Sequence, residues 1–554
     1  MPNERVLVVG FDGAPHLLVN QFLQAGIMPN LEAIAKSGAG GRLKSTLPPQ
    51  SLPAWPSFST GMNPGKHGVY SFFKVEPSTY LSHPPSSEDI RGLTLWDYLG
   101  SCGRRSILVN MPLTYPPYPI NGIMVSGFPA PQIGAPEIAC SPESMLNELQ
   151  KVAPKYRIEA PYTRDYQTGT GDESNILRML DETMKERTKL ILHLIEQRWD
   201  VFFAIFTCSD RVQHIFWRHL DRNHPAATPE GLQKYGSVIA NFFHELDHAL
   251  GLIMGKVDAS TTTFVVSDHG HAAQVAHVGV NQLLAELGIV RYHRAYQFGL
   301  TTDTLIRLAA SFGISVSLVK KLVPKKVLNK IPSGIDFSRS TAYCYRFGAI
   351  NLNVKGRESL GIVDKERFEA ERDNLARTLL DYVDPQTGMR LVEKILKPEE
   401  IYSGEQTSSA PDLLVIFRDG YGPRSWNPNG KPIQRIDSSE FDVTKPIIEC
   451  GGHHWLSTVD GIFFVNGPTV RNDQSIDNAE IIDVAPTILH LLSLPIPKNM
   501  DGKVLSIFRP DSDPAIRPVE HGPDLQLGIT ERSAWTKEEE AEITRRLANL
   551  GYMG

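Results

Sequence analysis

The chain has 554 residues, 41% of them hydrophobic and 21% charged, with a formal net charge of −6. That balance is ordinary for a globular protein and excludes a disordered or fibrous chain, and the mild acidity argues against a nucleic-acid polymer as partner, which calls for a basic surface. At roughly 100–200 residues per domain the length fits two or three domains, or one large core with an insertion.

The amino terminus passes from Met-Pro-Asn-Glu-Arg straight into the strand-like apolar run at 6–9, without the basic start, apolar stretch and cleavage site of a signal peptide. No apolar run reaches the roughly 18 residues of a membrane-spanning helix, so no transmembrane segment is expected. Cys102, Cys140, Cys208, Cys344 and Cys450 are odd in number, scattered and without a C-x-x-C pair. They read as buried thiols in a reducing compartment, and a cytoplasmic location is expected.

Short apolar runs alternate with helical patterns through the first 285 residues, as in strands that feed crossover helices onto a parallel sheet. Strands are predicted over 6–10, 106–109, 123–126, 201–206 and 262–266, and helices over 29–37, with Pro29 near its start, and 173–198. The loop at 61–68 lacks the spacing of a phosphate-binding P-loop and reads as a structured turn, with Lys66 a candidate substrate contact. After about residue 285 the pattern changes, and a partly basic segment at 296–330 precedes new runs up to about 400. Lys320, Lys321, Lys325, Lys326 and Lys330 there fit the solvated face of a cap helix, with an amphipathic surface for anionic lipid or substrate as the alternative. Strand character returns at 412–417 and 461–465, with a helix at 484–492. The expected organisation is an α/β core of residues 1–285 and 401–510, an inserted cap at 286–400 and a carboxyl-terminal extension at 511–554. In that extension Thr536 and Glu539 make a capping box and Gly551 a stop, predicting a terminal helix docked on the core.

Ligands of an open parallel sheet bind beyond the carboxyl ends of its strands. Asp12, Asp210 and Asp268 each follow a predicted strand, although any one alone fits a cap or a turn equally well. Two of them bring a histidine. Asp210 and His214 are spaced to share one face of a helix, and Asp268 and His269 adjoin where the backbone turns. Carboxylate and imidazole together suit Zn²⁺, Mn²⁺ or Fe²⁺ better than Mg²⁺ or Ca²⁺. The run Cys-Gly-Gly-His-His-Trp at 450–455 adds His453 and His454, enough for two metal sites. Ser51 begins an apolar run of helical spacing, interrupted by Pro56, where a hydroxyl serves as a cap or sits among free N–H groups that also favour phosphoryl oxygens.

In order along the chain, Phe-Asp-Gly at 11–13, Pro-Asn-Leu at 29–31, Ser-Leu-Pro at 51–53, Thr-Gly at 60–61, His-Gly at 67–68, Asp-x-x-x-His at 210–214 and Ser-Asp-His-Gly at 267–270 resemble the alkaline phosphatase superfamily. In particular they are similar to its type I phosphodiesterase and nucleotide pyrophosphatase branch, including the microbial group of predicted phosphohydrolases or phosphomutases. The segments at 410–415, 460–468 and 483–492 agree, so the resemblance spans nearly the whole chain. It implies an alkaline phosphatase-like α/β/α sandwich around a largely parallel sheet, with the cap inserted. It also implies two divalent transition ions, zinc with manganese as the alternative. Asp12, Asp268, His269 and the nucleophile Ser51 would hold one; Asp210, His214 and His453 would hold the other, with His454 fitting the same pattern shifted by one. The implied activity is cleavage of a phosphodiester or pyrophosphate bond in a small-molecule phosphoester through a phosphoserine intermediate. One departure is Ala54, where that branch has an asparagine three residues after the nucleophile that helps hold a phosphoryl oxygen. A phosphomonoesterase or phosphomutase is the alternative. A sulfatase-like enzyme fits less well, because Ala54 and Trp55 replace the Ser and Arg of that family's modification sequence. An inactive binding protein would have no need of so many convergent carboxylates and imidazoles.

Overall fold

The computed structural model of the chain describes residues 4–132, 134, 136–160, 172–293, 334–424, 430–438, 449–524, 532 and 534–549. Among the described residues nine strands form the central sheet, in the spatial order Gln474–Glu480, Ala39–Lys44, Asp460–Asn466, Thr261–Val266, Arg5–Phe11, Val201–Phe206, Ser106–Met111, Gly122–Ser126 and Cys140–Ser141. The five from Thr261–Val266 to Gly122–Ser126 are mutually parallel. Asp460–Asn466 runs antiparallel to both its neighbours, and Cys140–Ser141 closes the far edge antiparallel.

Alternation along the central strands divides the core into two layers, because successive side chains of a strand point to opposite faces. Leu7, Val9, Phe11, Phe202, Ala204 and Phe206 enter one apolar cluster, whereas Val6, Val8, Val201, Phe203 and Ile205 enter the other. Both faces are therefore covered, as an all-parallel stretch requires. The first layer holds the helices Pro29–Lys36, Glu173–Leu194 and Val238–Met254, which contribute Leu31, Leu180 and Phe243. The second holds Ser51–Thr60, Leu95–Ser101 and Val484–Leu491, which contribute Trp55, Trp96 and Ile488. This is the expected α/β/α sandwich around a largely parallel sheet.

The chain does not re-enter that sheet at 412–417. Leu413–Phe417 instead pairs antiparallel with Ala349–Leu352 and Val392–Leu396, in a four-stranded sheet completed by Ala342–Arg346. The inserted region's own sheet thus runs past residue 400, because Leu413, Val415 and Phe417 pack with Ile350, Leu352, Leu375 and Leu379 rather than with the central layers. The return to the central sheet is made by Asp460–Asn466.

The terminal helix Lys537–Asn549 docks as expected. Glu539 N–H donates to Thr536 Oγ1 at 3.2 Å and Thr536 N–H to Glu539 Oε2 at 2.8 Å, completing the capping box. Ile543 and Leu547 join the first apolar layer, and Arg546 pairs with buried Glu137 at 2.8 Å. Gly551 and the lysines of 320–330 lie outside the described residues. Among the described residues no helix is long and apolar enough to cross a membrane. Four of the five cysteines are buried as expected, but Cys102 is exposed, because it caps the helix Leu95–Ser101 at its carboxyl end, beyond the buried residues 95–99.

Candidate metal centre

Asp12, Asp210 and Asp268 stand at the carboxyl ends of three adjacent strands, Arg5–Phe11, Val201–Phe206 and Thr261–Val266, and all three are buried. Asp210 occupies the first turn of the helix Cys208–Leu220, which carries His214 one turn later on the same face. Close approach needs a residue without a side chain: Gly13 has φ +67°, and a Cβ there would lie 2.7 Å from Asp210 Oδ1. The N–H of Gly13 donates to Asp268 Oδ1 at 3.0 Å, so one peptide joins two strand ends.

Ser51 is the first residue of the helix Ser51–Thr60, every residue of which is buried. Pro56 is accommodated within it, and Thr60 Oγ1 donates to the Pro56 carbonyl at 2.7 Å. The Ser51 hydroxyl lies 3.2 Å from Asp12 Oδ1 and 3.2 Å from His269 Nε2. Trp55, one turn along, donates its indole N–H to Asp12 Oδ2 at 2.9 Å. His67 supports the same helix from behind, with Nε2 2.9 Å from Ser57 Oγ.

Three imidazoles are aimed by backbone carbonyls. His214 Nδ1 meets Gly451 O at 3.0 Å, His269 Nδ1 meets Gly270 O at 2.8 Å, and His453 Nδ1 meets Pro49 O at 2.8 Å. Each tether fixes the ring and turns Nε2 inward, the arrangement typical of imidazole ligands. His214 Nε2 lies 3.3 Å from Asp210 Oδ2, and His269 Nε2 lies 3.3 Å from Asp268 Oδ2. His454 turns the other way and stacks on Phe347 at 5.0 Å, so of the two adjacent histidines it is His453 that joins the cluster.

Three overlapping sets have donor atoms within 4.8 Å of one another: Asp12, Asp268 and His269; Asp210, His269 and His453; Asp210, His214 and His271. The seven residues singled out in the sequence are thus brought to one place. Lys66 is not among them, because its ammonium is held by Asp501 Oδ1 at 2.5 Å and by Asn499 O. Sequence reasoning passed over His271, Trp55 and Arg211. The adjacent run His-Gly-His was a signal for the first, whereas nothing local marked the indole. Arg211 is buried, donates to Glu159 Oε2 at 3.0 Å and lies 3.3 Å from Asp210 Oδ2.

Electrostatics make this a site for cations. Burial, then the Asp268 and Asp210 carboxylates, raise the Asp12 carboxyl well above its ordinary range. Burial also raises Asp268, outweighing His269 beside it. For Asp210 burial acts in the same direction but is overcome by the adjoining imidazoles, His214 first, which hold it well below the usual range. Burial lowers His271 to about 4 and His453 well below the ordinary histidine value. Asp210 Oδ1, Asp268 Oδ2, His214 Nε2 and His453 Nε2 are buried without a hydrogen-bond partner. Buried polar atoms are rarely left so, and a convergent N and O donor set fits divalent transition ions.

A model of the type I phosphodiesterase / nucleotide pyrophosphatase family matches residues 6–432, a span that includes every cluster residue except His453. Among solved structures, phosphonoacetate hydrolase from Sinorhizobium meliloti 1021 in complex with phosphonoformate is similar at TM-score 0.51 and 15% identity, over 89% of this chain and 96% of that one. An inactive murine ectonucleotide pyrophosphatase / phosphodiesterase 5 in complex with AMP gives a TM-score of 0.47 at 14% identity, over 89% and 95% of the two chains. No curated protein sequence matches. At 15% identity the likeness to the hydrolase is one of fold.

Proposed function

Because this chain belongs to the type I phosphodiesterase / nucleotide pyrophosphatase family, we propose that it is a metal-dependent hydrolase that cleaves a phosphodiester or pyrophosphate bond in a small-molecule substrate through a phosphoserine at Ser51. The observation that carries the reading is the Ser51 hydroxyl, buried at a helix start and 3.2 Å from both Asp12 Oδ1 and His269 Nε2. A structural cap would need neither contact.

Asp12, Asp268, His269 and Ser51 Oγ would hold one divalent transition ion, and Asp210, His214 and His453 a second, zinc by the mixed donor set with manganese as the alternative. Bound there, such ions lower the pKa of a serine hydroxyl or a water and offset charge on phosphoryl oxygens. The protein supplies the rest. The Ser51 proton leaves toward Asp12 Oδ1, the Oγ–P bond forms, and the P–O bond to the leaving group breaks in line with it. The positive end of the Ser51–Thr60 helix dipole faces the phosphoryl oxygens. A water then attacks the same phosphorus opposite Oγ, the Oγ–P bond breaks and Ser51 regains its proton. Two in-line displacements leave the configuration at phosphorus retained.

Ala54, packed in the second apolar layer, offers no contact to a phosphoryl oxygen, and Lys66 is engaged by Asp501. The missing contact at Ala54 favours a second reading, a phosphomonoesterase or phosphomutase using the same nucleophile, for which the engaged Lys66 supplies no additional cation. The deciding experiment is turnover of bis-p-nitrophenyl phosphate, p-nitrophenyl phosphate and a nucleotide pyrophosphate by zinc- or manganese-loaded protein, beside Ser51→Ala. Diester or pyrophosphate turnover that EDTA and Ser51→Ala both abolish is expected. Faster monoester turnover would move the assignment to the second reading, and full activity in Ser51→Ala would remove the nucleophile.

A further inference from the structure

His271 has no place in the two ligand sets proposed above, yet it is buried against them. Neither ring nitrogen completes a hydrogen bond, and Asp210 Oδ1 has no hydrogen-bond partner either; the two face each other, with Nδ1 3.3 Å from Oδ1. Surrounding groups hold the ring in that place. Trp217 stacks on it at 5.4 Å and 27°, and the His214 ring packs edge-on at 4.5 Å. Gly451 makes the room: a Cβ there would lie 2.8 Å from His271 Nε2 and 2.5 Å from the Gln213 carbonyl oxygen. The carbonyl of the same glycine tethers His214 Nδ1, so one residue sets the position of both rings.

We propose that His271 is a positioning residue for Asp210, donating Nδ1–H to Oδ1 so that Oδ2 is presented beside His214 Nε2 to the ion these residues hold. The inference rests on the two-ion reading above. An Oδ1 engaged in this way keeps Asp210 from binding through both oxygens, which leaves a coordination position open for a substrate oxygen or a water, as catalytic sites require. It also fixes the geometry of a ligand that already shares Oδ2 with Arg211. Outer partners of this kind typically change metal affinity or activity by about 10–100-fold when removed.

The test uses full-length protein loaded with Zn²⁺ and titrated with a competing chelator. His271→Ala should weaken one of two bound ions by about 10–100-fold while the other is held as in the parent, and kcat should fall by a similar factor with KM little changed. His271→Asn, whose amide N–H reaches where Nδ1–H stood, should recover most of both. An alanine variant that holds both ions and turns over as the parent does would overturn the proposal. If that variant fails to fold, the parent decides the matter: in ¹¹³Cd-loaded, ¹⁵N-histidine protein His271 should show Nδ1–H and no coupling to cadmium. Coupling to Nδ1 would make His271 a ligand and end the positioning role. A parent protein that binds no second ion would instead bring down the two-ion reading itself.

Discussion

Trp55 and Asp12 are joined by a 2.9 Å hydrogen bond from the indole N–H to Oδ2, on the carboxylate whose other oxygen meets the Ser51 hydroxyl. Because Ser51 and Trp55 are one turn apart on a single helix, the Ser51 hydroxyl and the Asp12 carboxylate are held in register from both ends. Trp55→Phe keeps the ring packing against Phe58 but leaves Oδ2 with one donor fewer. We expect kcat to fall about 10-fold or more with a folded protein, read from steady-state kinetics alongside near-UV circular dichroism.

Gly13 is required twice, by its positive φ and by the 2.7 Å that would separate a Cβ from Asp210 Oδ1. Gly13→Ala should cost about 1–2 kcal/mol for the left-handed backbone alone. It should also displace Asp210, so that metal content falls below that of the parent protein when measured by atomic emission.

His67 is buried and its pKa is lowered to about 3 by that burial. In an unfolded chain a histidine titrates near about 6.5. The folded value is the depressed one, so this histidine's contribution is fully present above the unfolded pKa and is lost as the pH falls from there toward about 3. A His67→Gln variant should therefore show a flatter decline of the urea midpoint across that window than the parent. An equally steep decline in both proteins would assign the acid sensitivity elsewhere.

Arg546 ties the terminal helix to the core through buried Glu137 at 2.8 Å and through the carbonyls of Ala130, Pro131 and Glu159. Removing Arg546 leaves buried Glu137 with Arg157 at 3.7 Å and the Ile158 N–H at 3.3 Å, so the cost should fall below the roughly 3–5 kcal/mol of a buried pair broken outright. Arg546→Ala should lower the urea midpoint, and amide exchange in the terminal helix should become faster than in the central sheet.

The core strands were legible because each is short, apolar and buried on both faces, so composition alone marks them. The two strands at one end of the sheet were not. Ala39–Lys44 and Gln474–Glu480 are polar or glycine-rich, and their pairing depends on a contact that no local pattern reports: a Cβ on Gly41 would lie 2.1 Å from the Ile476 carbonyl oxygen. Leu413–Phe417 was legible as a strand but not as a member of the inserted sheet, because its partners are other apolar strands and apolar faces do not name their partners. At the site, Asp12, Asp210 and Asp268 could be found from their places after strands. The choice between His453 and His454 could not, since it turns on which ring the Pro49 carbonyl reaches. Trp55 and His271 act through side-chain contacts between distant elements, which spacing does not encode.

The dipeptide His453–His454 divides its rings between two territories, one facing Asp210 and His269, the other lying on Phe347 at the tip of the inserted hairpin. Phe347 and Gly348 both have positive φ, so that tip has a defined shape. Exchange of the insertion for another must therefore preserve a ring at that tip or let the peptide that aims His453 drift with its neighbour.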